Sequence, residues 1–90
     1  MLRVTEEAKE LLVEKLLSRS GVLGKCLRLK IGGGGQLGLV LDGEKPDDYI
    51  VEHEGSKVLL IGAELASMLE KVTLDIENTD EGSKLVMHKG

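Results

Sequence analysis

The sequence predicts an α+β fold, with mixed, mostly antiparallel β-sheets, one N-terminal helix and one short internal helix. Apolar residues recur at helical spacing in two segments, and most other segments alternate apolar and polar residues. Short turns separate most of the strands, which favours antiparallel pairing. The 90 residues suffice for one modest core, so residues 1–90 are predicted to form a single domain.

The first helix is predicted to follow Thr5, a suitable N-cap, and to run to about Ser18. Two glutamates come directly after Thr5, in the first turn, where the helix dipole favours negative charge. Gly21, in the segment Arg19-Ser20-Gly21, is the expected C-terminal glycine of this helix. The expected apolar face consists of Ala8, Leu11, Leu12 and Leu16.

Residues 26–31 alternate and predict a half-buried strand. Leu27, Leu29 and Ile31 are expected on one face. Cys26, Arg28 and Lys30 are expected on the other.

The later elements follow from the same patterns. Asp42-Gly43 and Pro46-Asp47-Asp48 are expected as turn and loop, and Glu54-Gly55-Ser56 as a hairpin connection. The remaining predicted elements are strands Leu37–Leu41, Tyr49–His53 and Lys57–Ile61, a helix Ala63–Glu70, and strands Val72–Glu77 and Lys84–His88.

Composition excludes several classes of function. A net charge of −4 and 1% aromatic residues argue against binding to nucleic acid, which needs a basic surface or stacking side chains. A single cysteine, Cys26, allows no intramolecular disulfide and no cysteine-rich metal site. The sequence has no apolar run of ~20 residues and no signal-peptide pattern, so we expect a cytoplasmic protein without membrane contact.

Four consecutive glycines, Gly32 to Gly35, follow the first predicted strand and mark a candidate binding turn. Glycine permits positive φ and close approach of other atoms. Gly33, Gly35 and Gly38 satisfy G-x-G-x-x-G, but a strand follows where a dinucleotide site needs a helix. No Gly-Lys-Ser/Thr follows, which excludes a P-loop. The backbone N–H groups of residues 32 to 36 remain a candidate nest for a small anion.

Three other side chains are weak candidates for chemistry. Cys26 is either a thiolate activated by Arg28 and Lys30 or, as we favour, a small apolar residue at a strand start. His53 and His88 are conceivable metal ligands, but we favour solvated polar groups because strand neighbours point to opposite faces. The sequence has no legible acid–base or Ser/His/Asp arrangement, so it predicts no enzyme.

The order of these segments resembles the HesB-like domain of A-type iron–sulfur carriers, the IscA and ErpA type. The resemblance covers nearly the whole sequence. It rests on Val4 to Lys9, on Leu27-Arg28-Leu29 leading into the glycine turn, on Gly38 to Asp42, on Asp48 to Val51, on Glu54 to Val58, and on Leu74-Asp75-Ile76.

The resemblance also defines where this sequence departs from the family. The segment Gly33-Gly34-Gly35-Gln36 corresponds to the family's Gly-Cys-Ser-Gly-like turn, so Gly34 stands where the first ligand cysteine would be. The sequence ends at His88-Lys89-Gly90 without the family's Cys-Gly-Cys tail. Iron–sulfur clusters commonly take four thiolates, so the resemblance implies this fold without the family's cluster ligands.

Three hypotheses follow. The first is a HesB-like protein that holds no cofactor and acts through protein contacts, with iron–sulfur assembly proteins or apoproteins as partners, and with homodimers possible in such a family. The second is a residual metal or cluster carrier that uses Cys26, His53 or His88 across a dimer. The third is a small-molecule or anion binder that uses the backbone N–H groups of residues 32–36, in the turn that includes Gly33, Gly34, Gly35 and Gln36.

Overall fold

A computed structural model describes residues 2–18, 25–34 and 36–89. The predicted helix end at Gly21 lies outside these residues. The elements are β1 (Arg3–Val4), α1 (Glu6–Ser18), β2 (Cys26–Ile31), β3 (Leu37–Asp42), β4 (Tyr49–His53), β5 (Ser56–Ile61), α2 (Ala63–Met68), β6 (Val72–Thr79) and β7 (Gly82–Lys89).

The strands form two mixed sheets. One has the order β3-β2-β5-β4 and the other the order β1-β6-β7. The pairs β2–β3, β4–β5 and β6–β7 are antiparallel, whereas β2–β5 and β1–β6 are parallel. The predicted α+β class with mixed, mostly antiparallel sheets is confirmed.

One aliphatic cluster joins the two sheets and α1. Its fully buried members come from α1, β2, β5 and β6, and Val72, Leu85 and Met87 of the second sheet pack against them. The predicted inward face of β2 is confirmed for Leu27 and Leu29, but Ile31 at the strand end is 37% exposed. The core includes Leu12, Leu27, Leu29, Leu59, Ile61 and Leu74.

The start of α1 is fixed by Thr5, as predicted. Thr5 Oγ1 accepts a hydrogen bond from the Ala8 N–H (3.1 Å) and donates one to Asp75 Oδ1 (2.9 Å). The Thr5 N–H also donates to the Leu74 carbonyl (3.0 Å). The N-cap therefore ties the helix to β6. The two-residue strand β1 that precedes it was not predicted.

Several predicted boundaries are wrong by one or two residues. The hairpin between β4 and β5 turns on Glu54 and Gly55 alone, which have φ of 52° and 82°, and Ser56 already belongs to β5. Positive φ at both central residues matches the right-handed twist of the flanking strands. In the same way β3 extends to Asp42, α2 ends at Met68, and β6 and β7 extend beyond their predicted ends.

The connection from β3 to β4 crosses the four-stranded sheet. β3 and β4 are its two edge strands, with β2 and β5 between them, and only residues 43–48 join them. Because Arg28 and Leu60 are register partners, they share a face of the sheet. Arg28 contacts both ends of this crossing loop, so the loop passes over that face. In the described ranges, no helix is both long enough and apolar enough to traverse a bilayer.

Candidate functional site

The glycine turn is the closed end of the β2–β3 hairpin. Ile31 pairs with Leu37, and the Gly32 N–H donates to the Gln36 carbonyl (2.8 Å). Glycine permits positive φ, but Gly32, Gly33 and Gly34 do not adopt it, whereas Gly55 and Gly82 do. Gly35 lies outside the described residues. The three described glycines therefore do not depend on left-handed backbone conformation.

The turn has room for side chains. A Cβ added at Gly33 would meet nothing within 4 Å, and one added at Gly34 would lie 3.4 Å from the Gln36 side chain, an ordinary contact distance. Gly34 is exposed. The backbone at this position is therefore compatible with a cysteine, although the sequence supplies none.

The predicted anion nest has lost one donor, because the Gly32 N–H is already bonded. The N–H groups of Gly33, Gly34 and Gln36 remain for it among the described residues. Nests use successive N–H groups in alternating right- and left-handed conformations. The backbone at Gly32 to Gly34 lacks the left-handed half of that pattern.

Cys26 lies at the start of β2, with its Sγ 3.6 Å from the Lys57 carbonyl oxygen, to which the thiol donates. Burial raises the pKa of the Cys26 thiol, and this effect exceeds the opposing influence of Lys57 and Arg28. The hypothesis of an activated thiolate required a lowered pKa at Cys26, and the pKa is raised instead. The favoured interpretation of Cys26 as a small apolar residue agrees with this environment.

The two histidines lie beside carboxylates. His53 has Nδ1 3.6 Å from Glu6 Oε2 and Nε2 3.8 Å from Glu54 Oε2. His88 has Nε2 3.6 Å from Asp75 Oδ2.

The structure does not gather the three candidate ligands. Cys26 is on β2 and His53 on β4, with β5 between them, whereas His88 belongs to the other sheet. Two strand spacings correspond to roughly 10 Å between the backbones of β2 and β4. Over residues 2–18, 25–34 and 36–89, no three His, Cys, Asp or Glu side chains are grouped to hold a metal ion.

A buried ion-pair group, which we call the Arg28 cluster (Arg28, Asp42 and Asp48), was not predicted. Arg28 is 3% exposed although its strand alternation placed it on the polar face. Its Nη1 and Nη2 donate to the two Asp48 carboxylate oxygens (2.8 and 2.6 Å), and its Nε donates to Asp42 Oδ2 (2.8 Å). Nη2 also donates to the Gly43 carbonyl (3.1 Å). The guanidinium thereby holds both ends of the crossing loop.

Hydrogen bonds in and around the Arg28 cluster lower the pKa of both of its aspartates. The hydrogen bonds from Arg28 lower the pKa of Asp48 from 3.8 to about 2. The pKa of Asp42 is lowered first by the Gly43 N–H and then by Arg28. Asp48 also accepts from the Lys45 N–H (2.7 Å), so this carboxylate shapes the loop as well as pairing with the arginine. In the sequence, Asp42 and Asp48 indicated only a turn, in Asp42-Gly43, and a loop, in Pro46-Asp47-Asp48.

The architecture of two mixed sheets and two helices is similar to that of two solved structures. Escherichia coli SufA, described as involved in biosynthesis of iron–sulfur clusters, superposes with a TM-score of 0.69 at 23% identity, covering 98% of this chain and 84% of that one. IscA with a [2Fe-2S] cluster gives a TM-score of 0.62 at 21% identity, covering 99% of this chain and 85% of that one. No family model and no curated protein matches the sequence. The likeness to these structures establishes the fold.

Proposed function

We propose that this protein acts in iron–sulfur cluster biogenesis through contacts with other proteins, without catalysing a reaction and without binding a cluster at its glycine turn. The fold supports a role in this process, because almost the whole chain superposes on SufA, described as involved in biosynthesis of iron–sulfur clusters, and on IscA, whose structure contains a [2Fe-2S] cluster. We place it in the cytoplasm, with iron–sulfur assembly proteins or recipient apoproteins as the expected partners.

The residues of the glycine turn support the claim that no cluster binds there, and this is the observation that carries the proposal. Gly34 occupies the turn position where the resemblance places a cysteine, and Gly33, Gly34 and Gln36 offer no thiolate. Cys26 is the single cysteine, and burial keeps its thiol protonated to higher pH. Since clusters commonly take four thiolates, the residues present do not fit this group.

Anaerobic reconstitution with iron and sulfide tests whether the protein binds a cluster. The protein is passed over a size-exclusion column and assayed for visible absorbance, iron and sulfide per chain. We expect background absorbance and no co-eluting iron, both for the wild-type chain and for Cys26→Ser. A coloured dimer that Cys26→Ser abolishes would instead support a carrier with ligands shared between two chains.

Affinity purification of the tagged chain from cells tests whether the protein contacts proteins of iron–sulfur cluster biogenesis. We expect iron–sulfur assembly proteins or apoproteins to co-purify at physiological salt. The tag expressed without this chain serves as the control, because it retains every contact of the tag and none of the fold. Recovery of no such protein, or equal recovery with the control, would contradict the proposal.

A further inference from the structure

A groove of about 630 Å³ runs between the edge strands of the two sheets. Residues 36–39 at the start of β3 form one wall and residues 83–87 of β7 form the other, with Lys15 of α1 beside them. Successive side chains of a strand point to opposite faces, so an unbroken run of lining residues means that the groove follows the strand edge. Leu37, Leu39, Leu85 and Met87 make its interior partly apolar.

β7 offers backbone groups to this groove. It is the last strand in the order β1-β6-β7, and its eight residues pair on one side only, with β6, among the described strands. In an antiparallel pair, alternate residues direct N–H and C=O groups away from the partner strand. An extended segment lying along the outer edge of β7 would satisfy these groups.

Among the described residues, the charged side chains that line the groove are both lysines. Lys15 and Lys84 are its charged lining residues, although the chain carries a net charge of −4. The ion pairs formed within residues 2–18, 25–34 and 36–89 leave both lysines without a carboxylate within 4 Å. β7 contains no acidic residue, so the edge favours an acidic occupant.

The inner partner of β7 shows what such an occupant needs. β6 places Ile76 opposite Leu85 and Glu77 opposite Lys84, so apolar and acidic residues alternate along it. Its Asp75 also approaches His88, with 3.6 Å between Oδ2 and Nε2. A segment on the outer edge would meet the same β7 side chains from the other side.

We propose that the β7 edge binds an extended peptide segment of a partner protein in which acidic and apolar residues alternate. The peptide adds a strand to the three-stranded sheet, with its apolar side chains on the face of Leu85 and Met87 and its carboxylates on the face of Lys84. A second copy of this chain is disfavoured as occupant, because β7 carries Lys84 and Lys89 and no acidic residue, so one copy of β7 offers no carboxylate to the lysines of another. The inference deepens the proposed function by giving the chemistry of a partner.

A fluorescein-labelled, end-blocked peptide with the β6 sequence, Val72–Thr79, is a suitable probe because it carries the required pattern. Its binding to the full chain is measured by anisotropy at low and at physiological salt, and the site is mapped by amide chemical shifts. We expect weaker binding at higher salt and shifts concentrated on β7 and residues 36–39. The same peptide with its acidic residues replaced by lysine should not bind.

Charge reversal identifies the contact. Lys84→Glu should weaken binding about tenfold, because it turns an attraction into a like-charge repulsion. Lys71→Glu reverses an exposed lysine outside the groove and should leave the affinity unchanged. Equal affinity for the Lys84→Glu chain, shifts elsewhere on the surface, absence of binding up to about 1 mM, or dimerisation along β7 would overturn the proposal. None of these results depends on iron or sulfide, so the outcome is separable from the reconstitution test.

Discussion

Replacing Asp48 by asparagine removes the charge that Arg28 meets most closely while keeping the size of the side chain. The Asp48 side chain is 2% exposed, and it accepts hydrogen bonds from two guanidinium nitrogens and from the Lys45 N–H. Arg28 keeps Asp42 and the Gly43 carbonyl in the variant, so its charge is not left unpaired. The loss should therefore fall below the 3–5 kcal/mol typical when a buried charge loses its only partner.

The lowered pKa gives the magnitude. A fall in the pKa of Asp48 from 3.8 to about 2 corresponds to roughly 2–3 kcal/mol of stability near neutral pH, at about 1.4 kcal/mol for each pKa unit. We expect Asp48→Asn to lower the free energy of unfolding by that amount. Urea titration followed by circular dichroism measures it, with an unchanged m-value showing that the fold is retained.

Asp47→Asn is the matched control, because Asp47 is the exposed neighbour in the same loop and has no ion pair within the described residues. It should change stability by less than about 0.5 kcal/mol. If the two variants are destabilised equally, the Arg28 cluster does not hold the crossing loop and the reasoning from the pKa is refuted.

The pH dependence of the Asp48→Asn effect provides a second check. Asp48 has a lower pKa in the folded than in the unfolded chain, so its stabilisation is complete above the unfolded value of 3.8 and disappears as the pH falls towards about 2. The difference in stability between wild type and Asp48→Asn should shrink over this interval. A difference that stays constant from pH 6 to pH 2 would show that the asparagine acts through packing and not through charge.

Three further variants test the core, the cap and the turn. Leu29→Ala removes a side chain that is 1% exposed and should cost about 2–5 kcal/mol in urea unfolding; a loss under ~1 kcal/mol would mean that Leu29 lies outside the core. Thr5→Ala should cost about 1–2 kcal/mol, whereas Thr5→Ser, which keeps the hydroxyl, should cost less. Gly34→Cys should fold with unchanged stability, because its Cβ fits 3.4 Å from Gln36, and should gain little iron in reconstitution; tight cluster binding by this variant would contradict the argument from the residues of the glycine turn.

Sequence periodicity predicted the elements that are long enough to show a repeating pattern of apolar and polar residues. The alternation of residues 26–31 gave β2 with its observed bounds, and the pattern of Tyr49–His53 did the same for β4. It could not predict β1, because a two-residue strand has no period and is defined by its pairing with Thr73 and Leu74. The context of distant residues decides that element.

The Arg28 cluster was missed for a different reason. Alternation correctly separated Arg28 from Leu27 and Leu29, but it assumed that the second face of the strand meets water. The crossing loop covers that face, so Leu60, the register partner of Arg28, is also fully buried. The loop must pass over two strands because of the order of the strands in the sheet. The residue pattern within one segment carries no information on that order.

The contact between the beginning and the end of this fold bears on how the chain folds as it is made. Thr5 and Asp75 are 70 positions apart, yet one hydrogen bond joins them, and β1 pairs in parallel with β6. The β2–β3 and β4–β5 hairpins close over short distances and are able to form while later residues are still being synthesised. The second sheet must wait until β6 leaves the ribosome, so the first turn of α1 stays unanchored until Asp75 has been added.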